Sequence, residues 1–141
     1  MQAARYYGNR DVRIDDVEEP SPGADDVVIE VAACGICGSD LGEYLHGPRH
    51  EGDDYLPYTM GHELAGTVVE AGENADVEVG TEIVLNPLVP CGDCPSCDEA
   101  RYNLCRNLEV IGAQRPGGYA ERVTAPAGNV VPLPDGVSPE L

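Results

Sequence analysis

The sequence predicts a mainly β domain, a sandwich or partly open barrel with short helices, and three observations carry that expectation. Short apolar runs split by Gly, Pro and Asp clusters recur along most of the 141 residues, which is the pattern of strands joined by turns. The apolar residues are rich in Val, with no Phe and no Trp, and β-branched side chains favour a pleated sheet over a helix. Four cysteines fall between positions 91 and 105, which marks a lobe stapled by a metal ion and interrupting the sheet.

Candidate strands in the first half are Ala3 to Tyr7, Val12 to Asp16, Val27 to Ala33 and Leu64 to Ala71, with Ser-Pro-Gly-Ala-Asp-Asp at 21 to 26 as a loop. Ser39 to Leu45 reads as a short helix opened by Ser39 or Asp40 as its cap, since both side chains can accept from a free helical N–H. Thr81 to Leu85, Val110 to Ala113, Tyr119 to Thr124 and Val130 to Leu133 form a second β-rich half. The length fits one domain with its own core. At the C-terminus, Ser138 and Pro139 supply a helix cap and a proline at the first helical position, and the sequence then stops. That start signal predicts that the chain continues in a longer protein.

The cysteine cluster reads Cys91-Gly-Asp-Cys94-Pro-Ser-Cys97 and then Cys105. Two-residue gaps let a tight turn aim successive thiolates at one point, and a structural zinc ion takes four of them in a tetrahedron at about 2.3 Å. Bacterial ferredoxins share the first two gaps, but their fourth cysteine follows sooner and precedes proline, whereas Arg106 follows Cys105. Disulfides are the other alternative; they require an oxidising compartment. The start Met-Gln-Ala-Ala-Arg-Tyr-Tyr lacks the basic stretch and apolar core of a secretory signal, so reduced, metal-bound cysteines in a cytoplasmic chain are expected.

A second constellation lies upstream in Cys34-Gly-Ile-Cys37-Gly-Ser39-Asp40, followed by Gly61-His62-Glu63. One thiolate, one imidazole and one carboxylate leave a coordination position open for substrate or water on a catalytic zinc. Cys37, His62 and Glu63 supply those groups, and Asp40 could hold the second ring nitrogen of His62. Two other readings stand beside this one. Cys34 and Cys37 could be a redox pair, although the βαβ setting of thioredoxin-like motifs is absent. His62 and Cys37 could also be an ordinary histidine and a small core residue. Gly35, Gly38, Gly61 and Gly66 bracket the proposed ligands, where close backbone approach or positive φ would aim them.

Charge narrows the class of partner. There are 26 acidic residues against 8 basic ones, all Arg and none Lys, for a net charge of −18. Such a surface repels phosphate and counts against nucleic acid. The acids are scattered through the valine-rich pattern and not gathered in a tail, which favours a folded domain over a disordered one. A salt-rich, halophilic cytoplasm is the expected setting, because molar salt screens self-repulsion within a few ångströms. No apolar run approaches the roughly 18 residues needed to span a bilayer, so no membrane partner is expected.

Taken together, these residues resemble the zinc-dependent medium-chain alcohol dehydrogenase family, specifically its N-terminal catalytic domain with the GroES-like partly open β-barrel. The resemblance runs through Cys34-Gly-Ile-Cys37-Gly-Ser39-Asp40, Gly61-His62-Glu63-x-x-Gly66-x-Val68, Val79-Gly80, the four-cysteine cluster and Gly117-Gly118-Tyr119-Ala120-Glu121. Within the family, the stretches at 40 to 48 and 101 to 105 look most like 2,3-butanediol dehydrogenases. Arg115-Pro-Gly-Gly-Tyr-Ala-Glu is similar to threonine dehydrogenases.

The resemblance implies a zinc-assisted hydride transfer from a small secondary alcohol or polyol to NAD(P). It makes Cys37 and His62 zinc ligands, Glu63 a ligand or close partner, Ser39 the start of a proton relay and Asp40 the residue that orients His62. Cys91, Cys94, Cys97 and Cys105 become a structural zinc site away from the chemistry. The full-length protein is expected to be a homo-oligomer.

Three departures from the family pattern stand out. Gly42 occupies the position where many relatives carry a relay histidine, leaving His46 as a candidate. A further glutamate ligand is expected after the last residue of this chain. No Gly-x-Gly-x-x-Gly follows a strand, so the nucleotide-binding domain is expected outside residues 1–141 and the isolated chain is expected to be inactive. Tyr44 and Tyr55 are noted as possible substrate neighbours without an assignment. The alternative is a stand-alone zinc-binding or interaction module on the same fold.

Overall fold

A computed structural model describes residues 1–48 and 56–140. In chain order the elements are β1 (Gln2–Gly8), β2 (Asp11–Asp16), β3 (Asp26–Gly35), α1 (Gly38–His46), β4 (Tyr58–Thr59), β5 (Glu63–Ala71), β6 (Glu82–Leu85), β7 (Leu88–Val89), α2 (Pro95–Asp98), β8 (Glu109–Val110), β9 (Arg122–Pro126) and β10 (Val130–Pro132). Single 3-10 turns cover Tyr102–Leu104 and Ala127–Asn129.

The main sheet has the strand order β10-β6-β5-β3-β9, with every pairing antiparallel. A smaller sheet, β2-β1-β4, lies against it. The two are joined by a bridge between Ala3 and Ala120 and by the Ala4 N–H donating to the Tyr119 carbonyl at 2.7 Å. The result is the mainly β, partly open barrel with short helices that the sequence predicts. A third, two-stranded pairing of β7 with β8 carries the cysteine lobe. Among the described residues no helix is long and apolar enough to cross a membrane.

Alternation explains how the strands bury one face. Leu64, Gly66 and Val68 of β5, Ile83 and Leu85 of β6, and Val123 and Ala125 of β9 are buried while their neighbours are more exposed. Leu64, Val68, Ile83, Leu85, Val123 and Ala125 meet Val27 and Ile29 of β3, Ile111 and Val130 in one cluster. Each such fully buried aliphatic side chain contributes about 1.5–3 kcal/mol relative to exposure. A second cluster joins Tyr6, Tyr58 and Met60, with Leu56 and Tyr119 against it. The Tyr6 and Tyr58 rings meet edge to face at 5.7 Å, an arrangement aromatic quadrupoles favour. These tyrosines do the work of the absent Phe and Trp.

Several boundaries differ from the sequence expectation. The cap of α1 is Cys37, not Ser39 or Asp40; Asp40 lies at the third helical position, and its carboxylate accepts the Cys37 N–H at 2.9 Å. Of the strand expected over 110–113 only Val110 lies in a strand, and Ile111 makes an isolated bridge to Arg115, because Gly112 turns the chain with φ 88°. The strand expected to start at Tyr119 starts at Arg122, since residues 117 to 119 bond to residues 59 to 61 instead. β9 ends on Pro126, which an edge strand tolerates. At the C-terminus, Ser138 Oγ accepts the Glu140 N–H at 3.3 Å, as a capping serine does.

Candidate metal centres

Two groups of potential ligands form among the described residues, and they coincide with the two sequence constellations. The first is built by strand register. In the β3–β5 ladder Cys34 lies opposite Leu64 and Gly35 opposite Glu63. Two residues past Gly35 the chain turns into α1 with Cys37 at its cap, and His62 immediately precedes β5. Ligand atoms of Cys37, His62 and Glu63 therefore fall within 4.8 Å of one another. Ligands around a tetrahedral zinc stand about 3.3–3.8 Å apart, so a contraction of about 1 Å closes the three on one ion.

Gly61 and Gly66 make that approach possible. Gly61 has φ 95°, and a Cβ there would stand 2.7 Å from the Tyr119 ring and 2.9 Å from Cys34 Sγ. A Cβ on Gly66 would lie 2.2 Å from the Glu30 carbonyl oxygen in the neighbouring strand. Only glycine lets the two strands close at that level.

His62 is flanked on both ring nitrogens. Asp40 Oδ1 stands 3.5 Å from Nδ1, and Ser39 Oγ stands 3.3 Å from Nε2. A proton on Nδ1, drawn by the carboxylate, leaves the Nε2 lone pair free to bind a metal or to accept from Ser39. Asp40 is buried and multiply bonded: its Oδ2 accepts both the Cys37 N–H and the Tyr119 hydroxyl at 2.9 Å. Burial and the bond to Asp40 push the Tyr119 phenol well above the ordinary tyrosine range. One turn along α1, buried Glu43 accepts the Tyr58 hydroxyl, and its carbonyl accepts the Tyr6 hydroxyl at 2.7 Å. Those two bonds fix the helix that carries Ser39 and Asp40.

Cys34 does not join the ligand group. Burial pushes its thiol up to about 11, the opposite of the low-pKa thiolate that a redox pair uses. The redox reading of Cys34 and Cys37 finds no support in this setting.

The second group is Cys91, Cys94, Cys97 and Cys105. Sγ separations are 3.5 Å for Cys94–Cys97, 3.9 Å for Cys94–Cys105 and 3.4 Å for Cys91–Cys105. A tetrahedron with arms of about 2.3 Å has edges of about 3.8 Å, so these sulfurs already stand where one zinc ion would hold them. All six cysteines are free thiols in this structure. A multi-iron cluster, in which each thiolate binds a different iron, needs a wider frame. Backbone N–H groups of Cys97 and Arg106 aimed at Cys94 lower its thiol to about 6, and the Cys91 N–H lowers Cys105. Asp93 beside Cys91 pushes that thiol up to about 12. At Cys94 and Cys105 these N–H donors stabilise the thiolate form that a metal requires, while burial pushes the Cys97 thiol up.

The family described as the alcohol dehydrogenase GroES-like domain matches residues 23–135. The chain belongs to that family. The GroES-like domain here is 36% identical over 146 residues to the (R,R)-butanediol dehydrogenase of Neisseria gonorrhoeae, covering 96% of this chain and 41% of that protein. It is 36% identical over 141 residues to the L-threonine 3-dehydrogenase of Pyrococcus abyssi, covering 99% and 40%. The crystal structure of galactitol-1-phosphate dehydrogenase from Escherichia coli superposes with a TM-score of 0.90 at 31% identity, covering 99% of this chain and 40% of that one. The chain thus spans about two fifths of the length of the relatives it matches. The resemblance to zinc-dependent medium-chain alcohol dehydrogenases is borne out for this domain, and butanediol and threonine dehydrogenases are among its relatives.

Not every candidate converges on the site. His46 is exposed in the last turn of α1; seven residues from Ser39 it lies about 10 Å along the helix, too far for a direct relay contact. Tyr44 lines an apolar cavity with Ile36, Leu41, Met60, Asp40 and Tyr119, and Tyr55 lies outside the described residues. Sequence reasoning assigned no role to Tyr119, Glu43, Tyr6 or Tyr58. Tyr119 stood inside a quoted motif, but its partner Asp40 is 79 positions away and no spacing rule joins the two.

Proposed function

We propose that residues 1–141 form the GroES-like catalytic domain of a zinc-dependent dehydrogenase that oxidises a small secondary alcohol or polyol, butanediol-like in class, to a ketone with NAD(P). The observation that carries this reading is the convergence of Cys37, His62 and Glu63, within 4.8 Å of one another, beside Ser39 and Asp40. Zinc bound there supplies Lewis-acid polarisation of an alcohol oxygen, and a nicotinamide accepts the hydride.

The chain's own residues do the rest. Cys37 and His62 hold the metal and Glu63 completes or flanks the set. Ser39 Oγ, 3.3 Å from His62 Nε2, stands where it can pass on the alcohol proton. Asp40 keeps the His62 ring turned with Nε2 toward the site. Cys91, Cys94, Cys97 and Cys105 hold a structural zinc that stabilises their lobe. The nucleotide site belongs to sequence outside this chain, so the isolated domain does not turn over. The acidic, Lys-free surface supports a salt-rich cytoplasm as its setting, and the full-length protein acts as a homo-oligomer.

The test is an assay of the full-length gene product with 2,3-butanediol, sorbitol and threonine against NAD and NADP. Alcohol-dependent NAD(P)H formation that Cys37→Ser abolishes is expected. No formation with any secondary alcohol, by a protein that carries zinc at Cys37, overturns the reading.

A further inference from the structure

Tyr119 reaches the Cys37–His62 centre by two routes at once. Its backbone ends a clamp on the chain leading to His62. The Gly117 N–H donates to the Thr59 carbonyl at 2.9 Å, the Gly118 N–H to Gly61 at 2.8 Å and the Tyr119 N–H to Met60 at 3.0 Å. Its carbonyl accepts the Ala4 N–H at 2.7 Å, tying the clamp to β1. Its ring packs on the Tyr6, Tyr58 and Met60 cluster and lies so close to Gly61 that a Cβ there would clash at 2.7 Å. The ring is therefore held on both sides, and the hydroxyl position follows from it.

That hydroxyl stands 2.9 Å from Asp40 Oδ2 and 3.0 Å from the Gly35 carbonyl oxygen. It has a single proton, and the ionised carboxylate is the stronger acceptor. Oδ2 is then committed to two donors, the Tyr119 hydroxyl and the Cys37 N–H. Rotation of the carboxylate is blocked, and Oδ1 is left facing His62 Nδ1 at 3.5 Å.

We infer that Tyr119 is a positioning residue for the metal centre: its hydroxyl locks the Asp40 carboxylate plane, and through it the His62 ring, in the orientation that binds metal. The inference rests on the metal-centre reading of Cys37, His62 and Glu63. Removing the hydroxyl leaves every ligand in place and frees Asp40 to turn. Outer partners of a metal-bound histidine typically change metal affinity by about 10- to 100-fold. Tyr119 acts one bond further out, so an effect of about tenfold is expected.

The experiment is a Co²⁺ titration of the full-length protein, with one equivalent of zinc already in the four-cysteine cluster, read by the thiolate-to-cobalt absorption that Cys37→Ser removes. Tyr119→Phe should raise the apparent Kd about tenfold. Asp40→Asn should raise it at least as much, and Tyr119→Phe in the Asp40→Asn background should add nothing, because the two act through one path. Retention of the cluster zinc together with an unchanged thermal melt shows that a variant is folded; if Tyr119→Phe fails that check, Asp40→Asn is read alone, and a Kd equal to that of the unaltered protein overturns the inference. A Tyr119→Phe chain that binds Co²⁺ like the unaltered one, or whose effect adds in full to that of Asp40→Asn, overturns the inference alone. An unaltered chain without any Cys37-dependent band overturns the metal-centre reading as well.

Discussion

Gly35 lies directly opposite Glu63 in the β3–β5 ladder, and this pairing assembles the metal centre. It places the turn into α1 next to the residue before β5, so Cys37 and His62, 25 positions apart in sequence, meet at one end of the sheet. A one-residue slip would send every side chain of β5 to the opposite face, which would remove Leu64 and Val68 from the core together with Glu63 from the site. Core packing and ligand geometry are thus set by the same register.

Gly66 of β5 lies against the β3 backbone at Glu30. Gly66→Ala would bring a Cβ to 2.2 Å from the Glu30 carbonyl oxygen and 2.9 Å from Ile29 Cγ2. Overpacking of this kind costs about 1–3 kcal/mol or more, and the strands must part to relieve it. Gly128→Ala, with nothing within 4 Å of its Cβ, should stay within about 0.5 kcal/mol. Thermal melts of the two variants decide it; equal stability would mean that the β3–β5 approach is looser than described.

Much of this arrangement was legible in the sequence, for physical reasons that differ by element. β5 and β6 alternate cleanly because one face is buried and the other is not. The cysteine lobe was readable because its four ligands are nearly contiguous. β4 and β7 escaped, and β8 was placed only through Val110, because a two-residue pairing has no period to detect. The α1 cap was misplaced because a thiol is not among the preferred caps; Cys37 takes the position while Asp40 bonds back to its N–H. The link from Tyr119 to Asp40 was invisible because it depends on how two distant loops dock.

Cys34 offers a pH test. Burial raises its thiol from an ordinary 9.0 to about 11, so the folded state keeps a proton that the unfolded chain releases. Its contribution to stability is intact below pH 9 and is lost as pH rises from about 9 to about 11. The difference in stability between the unaltered chain and Cys34→Ala should therefore shrink across that window. At pH 8 the thiolate fraction of Cys34 is about a hundredfold below that of an ordinary thiol. Iodoacetamide labelling resolved by fragment mass spectrometry should find Cys34 among the slowest sites; rapid labelling would contradict its burial.

The net charge of −18 bears on stability through self-repulsion, which salt screens over a Debye length of about 3 Å at 1 M. Melting temperature should climb as KCl rises from 0.1 to 2 M. A flat or falling curve would remove the support for a salt-rich setting.

Zinc content per chain, measured by elemental mass spectrometry after equilibration with zinc in high salt and removal of loosely held ions, tests the central claim most directly. In the full-length protein the two-centre account predicts two zinc ions per chain, one after Cys37→Ser and one after Cys97→Ser. A zinc count that Cys37→Ser leaves unchanged would contradict it, because the converged Cys37, His62 and Glu63 would then hold no metal.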